Sequence, residues 1–293
     1  MRTVLIVNPY ASRVTDELVA EVARVLDPVR TLRTERPGHA IELARDADAE
    51  SVFVFSGDGG FNEVLNGIRA GVTVGFVPGG GTSVLPRALG LPRDPVAAAR
   101  RIAVGRTRRI SLGRVSWDGT AGRRFAFSAG IGLDAELIRQ MDARGRDENG
   151  RRPGDFVFAW TTLTALARHR GRFEPRLEIT GHGTAAFALV GNGDPYTYAG
   201  PLPLRLTPKA TFEGGLDVVA PRDVKARTWP RFAAYALRGR GQERAGDVFH
   251  GHDLDRIEIR CRGPQPLQVD GEDLGDVTEV VLEAERDAVA VLV

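Results

Sequence analysis

Ser51-Val52-Phe53-Val54-Phe55-Ser56-Gly57-Asp58-Gly59-Gly60-Phe61-Asn62-Glu63-Val64-Leu65-Asn66-Gly67 is the stretch on which the reading of the fold turns. Its first five residues form a β-branched and aromatic run bounded by turn residues, which predicts a buried strand. After the glycines, Phe61, Val64, Leu65 and Ile68 recur at helical spacing. The segment therefore reads as strand, glycine turn, helix. Such a turn binds anions, because glycine lets the backbone approach a phosphate and the helix start offers unpaired N–H groups at its positive dipole end. A carboxylate in that turn would repel a bare phosphate, so Asp58 needs a reason, and a magnesium ion or a hydroxyl awaiting deprotonation supplies one. Taken alone, Asp58 is equally an N-cap aspartate in an ordinary turn.

Working outward, Thr3 to Val7 reads as a first strand that turns through Asn8-Pro9-Tyr10-Ala11-Ser12 into a helix carrying Leu18, Val22, Val25 and Leu26. Val29 to Thr34 reads as a strand and Gly38 to Ala47 as a helix. Thr73 to Val77 is a further strand, closing in Pro78-Gly79-Gly80-Gly81-Thr82-Ser83. Alternating strands and helices predict a parallel sheet of βαβ units, with ligands at the carboxyl ends of its strands. From Arg109 the pattern changes to short alternating strands: Arg109 to Trp117 and Arg123 to Ser128 read as a hairpin joined at Asp118-Gly119. The expectation is an α/β domain over 1–110 and a β-rich sandwich domain over 111–293. Gly145 to Gly154 reads as a loop, Asp155 to His169 as a helix, and His250-Gly251-His252 as a loop.

At 293 residues the chain has room for two domains. A formal charge of +2 argues against a dedicated nucleic-acid binder. A single cysteine, Cys261, leaves no internal disulfide and no zinc cluster, and no uncharged apolar run approaches the ~18 residues of a membrane span. The expectation is a cytoplasmic protein at most peripheral to the inner face of the membrane.

The glycine turn is neither a dinucleotide fingerprint, since no Gly-x-Gly-x-x-Gly opens the first helix, nor a Walker loop, since no Gly-Lys-Ser/Thr occurs. Asn8-Pro9, Ser56-Gly57-Asp58-Gly59 with Asn62-Glu63-Val64 and Asn66-Gly67, and Pro78-Gly79-Gly80-Gly81-Thr82 ahead of Arg87 to Pro92 instead resemble the diacylglycerol kinase catalytic domain. The family is related to sphingosine kinases and bacterial lipid kinases and more distantly to NAD kinases. The resemblance continues in order through Gly130 to Ala135, Gly191-Asn192, Pro208-Lys209-Ala210, Gly215 to Val218 and Val269-Asp270-Gly271-Glu272.

It implies transfer of the γ-phosphate of Mg-ATP to a lipid hydroxyl. ATP would lie against Asn8, Pro9, Tyr10, Ala11, Ser12, Thr34, Gly57, Asp58, Gly59, Gly60, Phe61, Asn62, Glu63 and Thr82. Asp58, Asp270 and Glu272 would be the acid-base groups, with Asp58 of the first domain and Asp270 of the second serving the same hydroxyl. Read from composition alone, Asp270-Gly271-Glu272 is a hairpin turn. Two departures stand out: the family usually has Gly-Gly-Asp-Gly-Thr where this chain has Ser56 to Gly60, and Asn where it has Ser83. The resemblance also implies a structural magnesium near Glu213. The segment Asp223 to Arg240, with Trp229, Phe232 and Tyr235 among arginines, is a candidate for peripheral membrane contact, although an amphipathic helix packed on the core has the same pattern. A terminal strand over Ala288 to Val293 could pair two subunits into a homodimer. The alternatives are an NAD-kinase-like enzyme with a soluble substrate and a non-catalytic binding protein, the latter motivated by Gly60 and Ser83.

Overall fold

A computed structural model of the chain describes residues 2–143 and 171–293. The loop over Gly145 to Gly154 and the helix over Asp155 to His169 read from the sequence lie outside them. Contacts gather into two units: one of residues up to 112 with 286–293, the other of the described residues between 113 and 285. The last eight residues thus belong with the first unit, whereas the sequence reading placed them in the second domain.

The first unit alternates β1 (Thr3–Val7), α1 (Asp16–Leu26), β2 (Arg30–Arg33), α2 (His39–Asp46), β3 (Ser51–Ser56), α3 (Asp58–Gly67), β4 (Thr73–Pro78), α4 (Val84–Ala88) and α5 (Pro95–Ala103), before β5 (Thr107–Trp117) leads onward. The strands lie in the order β4-β3-β1-β2, all parallel. Every residue of β3 is buried, which fits the continuous apolar run of an inner parallel strand. One face packs Leu5, Val7, Phe53, Phe55 and Val77 against Val19 and Val22 of α1 and Ala99 and Ile102 of α5. On α3, Phe61 sets its ring edge-on to Phe76 at 5.2 Å. Thr15 and Asp94 start α1 and α5 by accepting N–H groups one turn ahead.

The second unit takes up the rest of β5 and adds β6 (Arg123–Phe125), β7 (Ser128–Ile131), α6 (Leu133–Asp142), β8 (Leu177–Ile179), β9 (Gly183–Ala185), β10 (Ala188–Gly191), β11 (Thr197–Ala199), β12 (Leu202–Leu204), β13 (Leu216–Pro221), α7 (Trp229–Arg238), β14 (Val248–Leu254), β15 (Arg256–Val269) and β16 (Glu272–Leu292). Its antiparallel ladder runs β14-β13-β10-β7-β15-β16, with β8 also on β15 and β5 on β16. The expected hairpin of β5 and β6 is present. The core joins Val115, Phe125, Ile131, Val190, Val218, Ile259, Leu267 and Val280. A second cluster joins α6 to α7 through Leu133, Leu137, Phe173, Phe187 and Tyr196, with Trp229 and Phe232 against it. The architecture is therefore an α/β part with a parallel sheet followed by a β-rich part.

One detail differs from the sequence reading, and two fill it in. His250-Gly251-His252 lies within β14 and pairs with β13, so ladder pairing overrides the loop-like composition. Most of the strand read over Ala288 to Val293 is the end of β16, where Ala290 and Val291 pair in parallel with β4 of the same chain. The aromatics of Asp223 to Arg240 turn inward: Tyr235 is buried and the Trp229 ring meets Phe173 edge-on at 5.6 Å. Among the described residues, no helix is long and apolar enough to cross a membrane.

Candidate functional site

Three turns meet at the carboxyl ends of β1, β3 and β4, and backbone hydrogen bonds join them. The Asn8 N–H donates to Phe55 O at 3.0 Å, Gly79 N–H to Ser56 O at 2.6 Å, and Arg13 N–H to Gly79 O at 2.9 Å. The second and third turns touch backbone to backbone: a Cβ on Gly80 would stand 2.8 Å from Gly57 Cα. Only glycine permits that approach.

The first turn is shaped by Asn8, whose Oδ1 accepts the Tyr10 N–H at 3.0 Å. Tyr10 stands exposed beside the half-buried Pro9, Ala11 and Ser12. Thr34 is buried where β2 ends, its N–H donating to Val7 O. The second turn runs into α3, whose N-cap Gly57 supplies no side-chain acceptor. The N–H groups of Gly59 and Gly60 are the donors that every helix start leaves without an intrahelical acceptor. Thr82 is exposed in the third turn. Ser83 closes that turn by accepting the Gly80 N–H and donating to Gly80 O. Its φ of +48° explains why asparagine, which tolerates the left-handed region, suits this position.

Some predicted site residues act within the protein. The Phe61 side chain belongs to the core, so only its backbone faces the turn. Asn62 is buried and accepts from Asn66 Nδ2. Glu63 reaches across to the start of α2, where its two oxygens accept the Gly38 and Ala40 N–H groups at 2.9 and 3.1 Å. Asp58 is the first residue of α3, and its oxygens accept the Val84 and Leu85 N–H groups at 3.0 and 3.2 Å, pinning the third turn to the second.

In the second unit, Asp270-Gly271 forms the two-residue turn between β15 and β16, and both residues have positive φ. Asp270 is 6% exposed, and its carboxylate accepts three backbone N–H groups, from Ala126, Phe127 and Ser128, at 2.6, 3.0 and 3.1 Å. Glu272 differs: its carboxylate is half exposed and held in a fork by Arg123 at 3.1 and 2.5 Å. Sequence reasoning missed the network behind this turn. Gln268 accepts the Gly271 N–H and donates to Asp134 Oδ2 at 2.6 Å, which also accepts the Tyr196 hydroxyl at 2.8 Å. Burial raises the pKa of Asp134 against those two hydrogen bonds, and burial with the neighbouring Asp134 pushes Tyr196 well above its ordinary value. Residue 134 lies on α6, 196 just ahead of β11 and 268 on β15, so no local motif announces them.

Glu213 lies exposed before β13. Among the described residues no group of three or more His, Cys, Asp and Glu could hold a metal ion. Nearby, Asp253 accepts the Gly215 N–H, and the buried Asp217 faces His252 Nδ1 at 2.8 Å.

Residues 2–115 match the family described as "Diacylglycerol kinase catalytic domain". This segment is a member of that family. Diacylglycerol kinase of Bacillus subtilis is 31% identical over 157 residues, 49% of this chain and 50% of that protein. The chain thus spans about half the length of that relative. Sphingoid long-chain bases kinase 1 of Arabidopsis thaliana is 34% identical over 102 residues, 30% of this chain and 13% of that protein. A crystal structure of a diacylglycerol kinase from Bacillus anthracis superposes with a TM-score of 0.71 at 21% identity, covering 99% of this chain and 96% of that one. The diacylglycerol kinase catalytic domain, as matched here, takes in all three converging turns and ends within β5.

Proposed function

We propose that this chain is a lipid kinase that moves the γ-phosphate of Mg-ATP onto a lipid hydroxyl. The observation that carries the reading is the convergence of the three turns around the uncapped start of α3, within the segment matched by the kinase family. Phosphate oxygens would find donors there: the Gly59 and Gly60 N–H groups lie in the first turn of α3, and the Gly57 and Gly80 backbones pack together with no side chain to cover them. ATP would supply the phosphoryl group, and its magnesium would offset the phosphate charge.

Of the three candidate carboxylates, Glu272 is the one suited to take a proton. Both oxygens of Asp58 and of Asp270 already accept backbone N–H groups. Both Glu272 oxygens accept from the Arg123 guanidinium, but among the described residues they accept no backbone N–H, and the carboxylate stands half in solvent, which leaves lone pairs open. In this reading Glu272 accepts the hydroxyl proton as the alcohol oxygen bonds to the γ-phosphorus and ADP departs, while Asp270 and Asp58 hold the backbone on which these groups sit. The relatives' names divide between diacylglycerol and sphingoid bases, and both are alcohols carried on lipid. The exposed Arg227, Arg238 and Arg240 with the exposed Leu237 on and beside α7 support approach to an anionic bilayer.

Radiolabelled phosphate transfer from ATP tests this directly, with diacylglycerol and sphingosine micelles as acceptors and NAD as a soluble control. Label in an organic-extractable product, lost in Glu272→Gln, is the expected result. Label on NAD alone would replace the lipid reading. Nucleotide binding without transfer to any acceptor would favour a binding protein.

A further inference from the structure

Ser56 ends β3 one residue before the N-cap of α3. Its residue exposure is 1%, and its Oγ has no hydrogen-bond partner among the described residues. A buried hydroxyl left unpaired is costly, and serine readily avoids that cost by bonding a neighbouring carbonyl. Here it does not. The position of the hydroxyl is fixed by what it excludes: a Cβ built on Gly60 would lie 2.1 Å from Ser56 Oγ, 2.8 Å from Ser56 Cβ and 4.0 Å from Asn8 Nδ2. The hydroxyl therefore sits against the first turn of α3, in the volume that a side chain at position 60 would need.

We infer that Ser56 Oγ is a phosphate ligand of the turn cradle, and that Ser56 and Gly60 are an exchangeable pair in which only one can carry a side chain into that volume. The assignment rests on the nucleotide reading above and adds a residue to it. A helix start offers N–H groups alone; an unpaired hydroxyl beside them, already stripped of water, donates to an anionic oxygen with no solvent to displace. The absence of a side chain at position 60 is what lets the hydroxyl stand there. The departure at Gly60 then removes no donor from the turn, because the donor has moved to position 56.

Calorimetric binding of Mg-AMP-PNP together with thermal unfolding tests the pair in the full-length chain. Ser56→Ala removes an unpaired buried hydroxyl, so its Tm is expected to equal or exceed that of the wild type, while Mg-AMP-PNP binds about tenfold more weakly. Gly60→Thr alone is expected to unfold at lower temperature, because its Cβ meets Ser56. The double change Ser56→Gly with Gly60→Thr is expected to recover both the Tm and, to within about threefold, the affinity, because it returns one hydroxyl to the volume. Equal affinity in the wild type and Ser56→Ala would reduce Ser56 to a space filler and overturn the assignment. A double variant as unstable as Gly60→Thr alone would overturn the exchange. A wild-type chain that folds but binds no Mg-AMP-PNP would instead overturn the nucleotide reading, and the Ser56 ligand role with it.

Discussion

Asp270 and Glu272 are separated by one glycine, yet they predict opposite lesions. Removing the Asp270 carboxylate strands three buried N–H groups, so Asp270→Ala is expected to lose about 3 kcal/mol in urea unfolding. Glu272 is half exposed, so Glu272→Gln should shift stability by less than about 0.5 kcal/mol. If Glu272 takes the proton, turnover should nonetheless fall by a factor on the order of 100 to 10,000. Comparable loss of folding in both variants would remove the distinction on which the proton assignment rests. A pH prediction belongs to Asp134. Burial raises its folded-state pKa above the unfolded value, so its contribution is fully present below the unfolded pKa and is lost as pH rises through the folded one. Asp134→Asn keeps an acceptor for Tyr196 and Gln268 and never ionises. It is expected to melt higher than wild type at neutral pH, with the gap closing near pH 4, about the ordinary carboxyl value.

At the scale of elements, carboxylates join helices to elements elsewhere in the chain. Glu63 of α3 caps the start of α2, and losing it in Glu63→Ala should cost about 1 kcal/mol and speed amide exchange at Gly38 and Ala40. Arg139 of α6 forks onto Asp273 of β16 at 2.7 and 3.0 Å, and that hydrogen bonding holds the Asp273 pKa below its usual value. The sign is opposite to that of Asp134. This stability is present above the unfolded pKa and is lost as pH falls through the lowered one, so Asp273→Asn should be the weaker protein at neutral pH and converge on wild type in acid. These links also mark how far sequence reasoning reaches. The strand, glycine turn and helix around Gly57 were legible because every cue lies within a dozen positions. The partners of Asp58 at Val84 and Leu85 were not, since helix spacing says nothing about which carboxylate reaches a distant turn. Asp58 reads as a turn carboxylate from the sequence, and its bonds to the next turn appear only once β3 and β4 lie side by side.

Across the whole chain the decisive feature is the return of the last residues to the first unit. Ala290 and Val291 pair in parallel with Thr73 and Val74 of β4, and Val293 exchanges backbone hydrogen bonds with Arg106. From the sequence, Ala288 to Val293 is only a strand, since nothing local says which sheet it joins; pairing is settled by which edge remains open. The return covers the outer edge of β4 and buries Val289 and Val291. Deleting residues 286–293 would remove the burial of those valines, worth on the order of 4 kcal/mol together, and leave β4 unpaired at an edge prone to association. Against a typical stability of about 5–15 kcal/mol, that loss is large. Hydrogen exchange on the truncated chain is therefore expected to lose protection in β3 and β4 while the ladder of β7, β10 and β13 keeps its own. Equal loss in both regions would mean that the two units unfold as one. Unchanged protection in β4 would mean that the parallel sheet does not need the returning strand.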